Sequence, residues 1–195
     1  MSGGTIVHQN ESTGGTPLDY RNVAGTTSVT GGTVQFATAT TTGSPTFVVG
    51  VPGTTNTFPS LSLVKAVGTT TATFATGITV RGNVSIVAST TLNAASQALA
   101  VTGNSTDPGN FANSGTFTSG TQTTTFNSAS GAQTISGSNT SFSGLTLNNS
   151  SGFTVSQSPT VNAALTLTAG TVSMGSNTLT VARMGSWSRT RGGVS

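Results

Sequence analysis

The chain repeats itself, and the repeat keeps its apolar residues in alternation. FPSLSL at Phe58 to Leu63 returns as FSGLTL at Phe142 to Leu147, 84 positions later. Val84-Ser-Ile86 returns as Leu165-Thr-Leu167 after 81 positions, and Leu99-Ala-Val101 as Leu179-Thr-Val181 after 80. Small loop insertions account for the drift, while the i, i+2 placement of Leu, Val and Ile persists. That alternation marks a strand with one buried face. Strands this short cannot bury their apolar side alone, so each unit must stack on its neighbours.

A shorter period of about 20 residues lies inside each large repeat. It relates Ile135 to Val155, Leu145 to Leu165, Leu147 to Leu167 and Val161 to Val181. In the first half it takes Phe58 to Ile78 and Val64 to Val84, with steps of 21 from Ile78 to Leu99 and from Val80 to Val101. Twenty residues is about one coil of a β-helix, so nine or ten coils are expected, a rod ~45 Å long at ~4.8 Å per strand. Corners fall at Ser130-Gly131, Ser136-Gly137, Asn148-Asn149 and Ser151-Gly152, where Gly and Asn take positive φ at small cost. The expected fold class is all-β, a parallel β-helix (β-solenoid) with coils of about 20 residues and two large repeats of about 80 residues.

Each large unit opens on an aromatic residue, Tyr20 and then Phe111, and Trp187 stands where a third would begin. The expected organisation is a loose or capping segment over 1–19, a first solenoid repeat over 20–110 and a second over 111–186. A Pro/Gly-rich loop insertion is expected near 43–59. Residues 187–195 read as the start of a truncated third repeat or as a basic tail.

Composition agrees with strands and narrows the chemistry. Thr occurs 42 times and Gly 26 times, while Asp, Glu, Lys and Arg make up only 5%. Thr and Val suit a pleated surface. Disordered chains combine low hydrophobicity with high net charge, and here the charge is small and the apolar triplets recur in phase. The net charge of +3 belongs to Arg183, Arg189 and Arg191, because Arg21, Lys65 and Arg81 are balanced by Glu11, Asp19 and Asp107. Nucleic-acid recognition needs a basic face with interleaved aromatics, which is not seen. No apolar run approaches the ~20 residues of a membrane span. No signal peptide opens the chain, so a secreted home requires that Met1 begin a fragment.

Catalysis finds little to work with. Paired-carboxylate mechanisms need two acids facing one bond, and Glu11, Asp19 and Asp107 are scattered. His8, the single histidine, reads as an exposed polar residue near the terminus. With no cysteine and one histidine, no metal site and no cofactor are expected, and no catalytic residue is assigned. The expectation is a protein that is not an enzyme.

The segment GAQTISGSNTSFSGLTLNNSSGFTVSQSPTVNAALTLTAGTVSMGSNTLTV, Gly131 to Val181, resembles the β-strand-repeat and filamentous-haemagglutinin-like surface proteins of bacteria, and Thr33 to Val101 resembles them more loosely. The resemblance implies a right-handed parallel β-helix within a long, secreted, adhesin-type protein at the cell surface. It carries over no catalytic residue. Its implied role is a structural or stalk segment, and its implied partners are surface glycans or neighbouring repeats of a longer chain, with no nucleic acid and no membrane insertion. Open end coils allow end-to-end self-association.

A second functional class rests on threonine. At the 20-residue lag Thr134 stacks on Thr154, Thr146 on Thr166 and Thr160 on Thr180, giving ladders of hydroxyl and methyl groups that would bind ice or a glycan. The bland alternative is that Thr is simply a good exposed strand residue. A polysaccharide-active enzyme stands third, on the ground that the fold hosts such enzymes.

Overall fold

The computed structural model describes residues 1–10, 20, 30–51, 56–182 and 188–189. Among these, all regular structure is β, no helix occurs, and every strand pairing is parallel. Strand β1 (Ser2–His8) precedes six coils of three strands. These are β2 (Gly31–Phe36), β3 (Thr46–Val49), β4 (Asn56–Phe58); β5 (Ser60–Leu63), β6 (Thr70–Phe74), β7 (Ile78–Val80); and β8 (Val84–Ile86), β9 (Thr90–Asn93), β10 (Leu99–Val101). Then follow β11 (Phe111–Asn113), β12 (Thr116–Thr118), β13 (Thr123–Phe126); β14 (Gln133–Gly137), β15 (Ser141–Phe142), β16 (Gly144–Asn148); and β17 (Phe153–Val155), β18 (Thr160–Val161), β19 (Leu165–Ala169). Strands β20 (Val172–Ser173), β21 (Thr180–Val181) and β22 (Ser188–Arg189) begin a further turn.

The solenoid has three faces. The leading strands of the coils form the first, in the order β1-β2-β5-β8-β11-β14-β17-β20. The middle strands form the second in two ladders, β3-β6-β9-β12 and β15-β18-β21, and the last strands form the third, β4-β7-β10-β13-β16-β19-β22. Where the second face breaks between β12 and β15, the inward rings of Phe117 and Phe142 lie 5.8 Å apart and keep the core continuous.

Alternation decides which side chains enter. Ile-Thr-Val, Val-Ser-Ile and Leu-Ala-Val in β7, β8 and β10 each bury the outer two residues and leave the middle one partly exposed. Parallel pairing in register then lines up the buried residues as columns. On the first face Val34, Leu61, Val84, Phe111, Ile135 and Val155 form one column, and on the third Phe58, Val80, Val101, Phe126, Leu147 and Leu167 form another. Each fully buried side chain of this kind contributes about 1.5–3 kcal/mol.

The coil is longer than the sequence period. Register partners on the first face, from Val34 through Leu61, Val84, Phe111 and Ile135 to Val155, set coils of 27, 23, 27, 24 and 20 residues, and the molecule makes about six turns of roughly 23 residues. The 20-residue step from Ile135 to Val155, Leu145 to Leu165 and Val161 to Val181 is present. In the first half it is not, since Phe58 pairs with Val80 rather than Ile78, and Val84 with Leu61 rather than Val64. The reason is corner length, with segments 37–45, 64–69 and 102–110 leaving the ladder between strands. The nine or ten expected coils therefore fall to about six, and the eight strands of the first face span ~34 Å rather than ~45 Å.

Two further expectations change. The insertion expected near 43–59 is not a loop beside the coil, because β3 and β4 lie within it and supply rungs to the second and third faces. The large repeat is not four coils. Leu61 and Leu63 sit on β5 of the first face, while their counterparts Leu145 and Leu147 sit on β16 of the third. Val84-Ser-Ile86 on β8 likewise returns on β19, and Leu99-Ala-Val101 on β10 returns with Val181 on β21. Each step is eleven strands, one short of four three-sided coils.

At the N-terminal end, β1 joins the first face by pairing with β2, so residues 2–8 are part of the ladder. Tyr20 bridges to Val49 on the second face. Residues 11–19, and Trp187 with 190–195, lie outside the described residues.

Candidate functional site

The six threonines read from the sequence pair as expected, and they do not share a face. Thr134 and Thr154 are partners on the first face, Thr146 and Thr166 on the third, and Thr160 and Thr180 on the second. Each pair is thus a rung of a different ladder. Lags alone revealed the stacking, but the three corners of a coil separate the pairs.

Longer threonine columns exist than the sequence reading found. On the third face Thr57, Thr79, Ala100, Thr125, Thr146 and Thr166 stand in register over six coils. On the second face Thr46, Thr71, Thr91 and Thr116 form one column, and Val48, Thr73, Asn93 and Thr118 form the next. Side chains two apart on a strand are ~6.8 Å apart and ranks are ~4.8 Å apart, so this face carries a two-dimensional array of hydroxyl and methyl groups. Lags of 25, 20 and 25 hid it.

A groove crosses the outer side of the third face. It encloses about 590 Å³ and is open to solvent. Thr57 and Thr79 form its floor, and Arg81, Thr102 and Asn127 occupy the adjoining column just past β7, β10 and β13. Its wall is the corner 102–110, which contributes Asn104 and Ser105, together with Ala129 and Ser130 of the following corner. These two corners stand out because the preceding connection, 81–83, is short.

The wall is held by a polar network. The Asn104 side-chain oxygen accepts from the backbone N–H of Thr106 at 2.8 Å and of Asp107 at 3.0 Å, and from the Thr106 hydroxyl at 2.7 Å. Asp107 accepts from the Asn83 amide at 3.1 Å, and Asn83 in turn accepts from the Asn110 N–H at 2.8 Å. Beneath the wall Gln133 is fully buried, donating to the carbonyls of Val101 and Gly109 and accepting from the Ser128 N–H. A local side chain-to-backbone network of this kind fixes an otherwise irregular corner. Asp107 is thereby engaged in the corner, and among the described residues Arg81 makes no ion pair.

The remaining candidate groups do not converge on the groove. His8, expected as an exposed terminal residue, is half-buried, its ring stacked on Phe36 at 5.4 Å and edge-on to Tyr20 at 5.7 Å. Tyr20 lies against Phe58 at 4.4 Å, and burial raises its hydroxyl pKa above the ordinary value. These rings pack the N-terminal end of the core. Glu11 and Asp19 lie outside the described residues, among which no group of three or more His, Cys, Asp or Glu has metal-holding geometry.

Comparisons of the chain with protein families, with curated proteins and with solved structures gave no match.

Proposed function

We propose that this chain is a non-enzymatic spacer, a stalk segment of an adhesin-like protein outside the cell. The observation that carries the reading is mechanical. Three parallel faces share one continuous apolar core, so bending requires breaking ladder hydrogen bonds and core packing together. Few charges and small polar side chains on the outer columns suit a surface that keeps a binding tip at a distance while limiting nonspecific attraction. Surface proteolysis and immunogold labelling of producing cells test it. Label on filaments projecting from the envelope is expected, and purely cytosolic label would overturn the proposal.

A second reading, contact with ice through a threonine face, is favoured by the array on β3, β6, β9 and β12. Thermal hysteresis lost in Thr71→Leu with Thr116→Leu would support it. No hysteresis in the intact chain removes it.

A further inference from the structure

We propose that the groove beside Arg81 binds an acidic oligosaccharide, a run of uronic-acid units. Its volume of about 590 Å³ is that of a small-ligand site. Its lining is unusual in carrying hydroxyls, amides and one guanidinium, with neither carboxylate nor aromatic ring. Thr and Asn side chains both donate and accept, which matches sugar hydroxyls, while the threonine methyl groups offer apolar patches to the C–H side of a pyranose ring. Arg81 is exposed, carries the only charge in the lining and has no carboxylate partner among the described residues. A guanidinium presents paired donors that fit a carboxylate.

The geometry of the ladder sets the length. Arg81, Thr102 and Asn127 follow one another in register, the N–H of Thr102 bonding to the Val80 carbonyl and that of Asn127 to the Val101 carbonyl. Polar groups therefore repeat every ~4.8 Å along the rod, comparable to the advance of one ring in an extended glycan. Competing ligand classes fit less well. A phosphate dianion would bring two charges to one cation, nucleic acid would lack both stacking rings and further cations, and a protein partner would lack an apolar centre. The site does not depend on the spacer reading, since a chain that is no stalk can still bind through this groove.

Titration of the full chain with a hexamer of galacturonic acid, followed calorimetrically, tests the assignment. Saturable binding is expected, weakened at least about tenfold by complete methyl esterification or by Arg81→Gln, because a hydrogen bond to a charged partner is involved. Asn127→Ala, another exposed position, should weaken it by a smaller factor, whereas Lys65→Gln, outside the groove, should leave it unchanged. Circular dichroism should be the same for all variants. The assignment is overturned if the acidic hexamer does not bind, if the ester or Arg81→Gln binds as tightly, or if Lys65→Gln weakens binding as much as Arg81→Gln.

Discussion

Gln133 carries more structural responsibility than any apolar residue beside it. It is inside the first face, fully buried, and its amide ties together the 102–110 and 127–132 corners and accepts from Asn149 at 3.3 Å. Gln133→Ala should therefore cost about 2–4 kcal/mol in urea unfolding, combining a cavity with stranded backbone groups. A loss under about 0.5 kcal/mol would show that water replaces the amide at no cost. Glycine makes a sharper comparison. Gly170 and Gly175 both have positive φ, at 88° and 54°, but a Cβ on Gly170 would collide with the Asn149 carbonyl, whereas one on Gly175 meets open space. Gly175→Ala should cost about 1 kcal/mol from backbone conformation alone, and Gly170→Ala about 3 kcal/mol or more, since the Asn149 corner must move as well. Tyr20, the one tyrosine in the sequence, gives a pH signature. Its pKa is raised by burial from 10.0, so its contribution is complete below that pH and is lost as pH rises, because the unfolded chain releases the proton first. Urea midpoints should fall more steeply for the intact chain than for Tyr20→Phe between about pH 9 and 11; equal slopes would place the sensitive group elsewhere.

At the level of strands and corners, the coil is the unit that can be removed. Leu61 and Val84 occupy the same column, so deleting 61–83 withdraws β5, β6 and β7 and sets β8 against β2. The shortened chain should keep the β circular dichroism of its parent per residue. Deleting 61–74 withdraws two strands and leaves the faces out of step, and this chain should fail to fold; a native-like spectrum from it would mean that the corners, not the ladders, fix the register. Much of this was legible in the residues. The alternation in VSI, LAV and LTL is a direct record of the pleat, and where corners are short, from Ile135 to Val181, the period read from the sequence is the coil itself. It failed from Phe58 to Val84 because corner length is invisible to a lag: a corner held by Asn83, Asn104 and Asp107 leaves the same alternating triplets on either side as a tight one. The groove was hidden for the same reason. Thr57, Arg81, Asn104 and Asn127 share no spacing, and they meet only after three coils have stacked.

Over the whole molecule stability should be graded rather than uniform. The aromatic groups of Phe111, Phe117, Phe126 and Phe142 pack inside one another's reach in the middle coils, at centroid distances of 5.3–6.3 Å. Beyond them burial thins, with Leu165 still buried but Leu167, Val172 and Val181 only partly so. Stacked repeats open from their ends when neighbouring interfaces supply most of the stability. Amide exchange should be slowest from Leu61 to Leu147 and fastest from Leu165 to Val181, and uniform protection would point to a single all-or-none unit instead.

The eleven-strand step between related sequences has a consequence for any longer chain made by copying it. Eleven is not divisible by three, so each successive copy is turned by one side of the prism, and thirty-three strands, three copies in eleven coils, must pass before a motif faces its starting direction again. Such a chain would be a screw. Its copies would meet a flat surface only one in three at a time, while a ligand wrapped around the shaft would find the same chemistry waiting on every side.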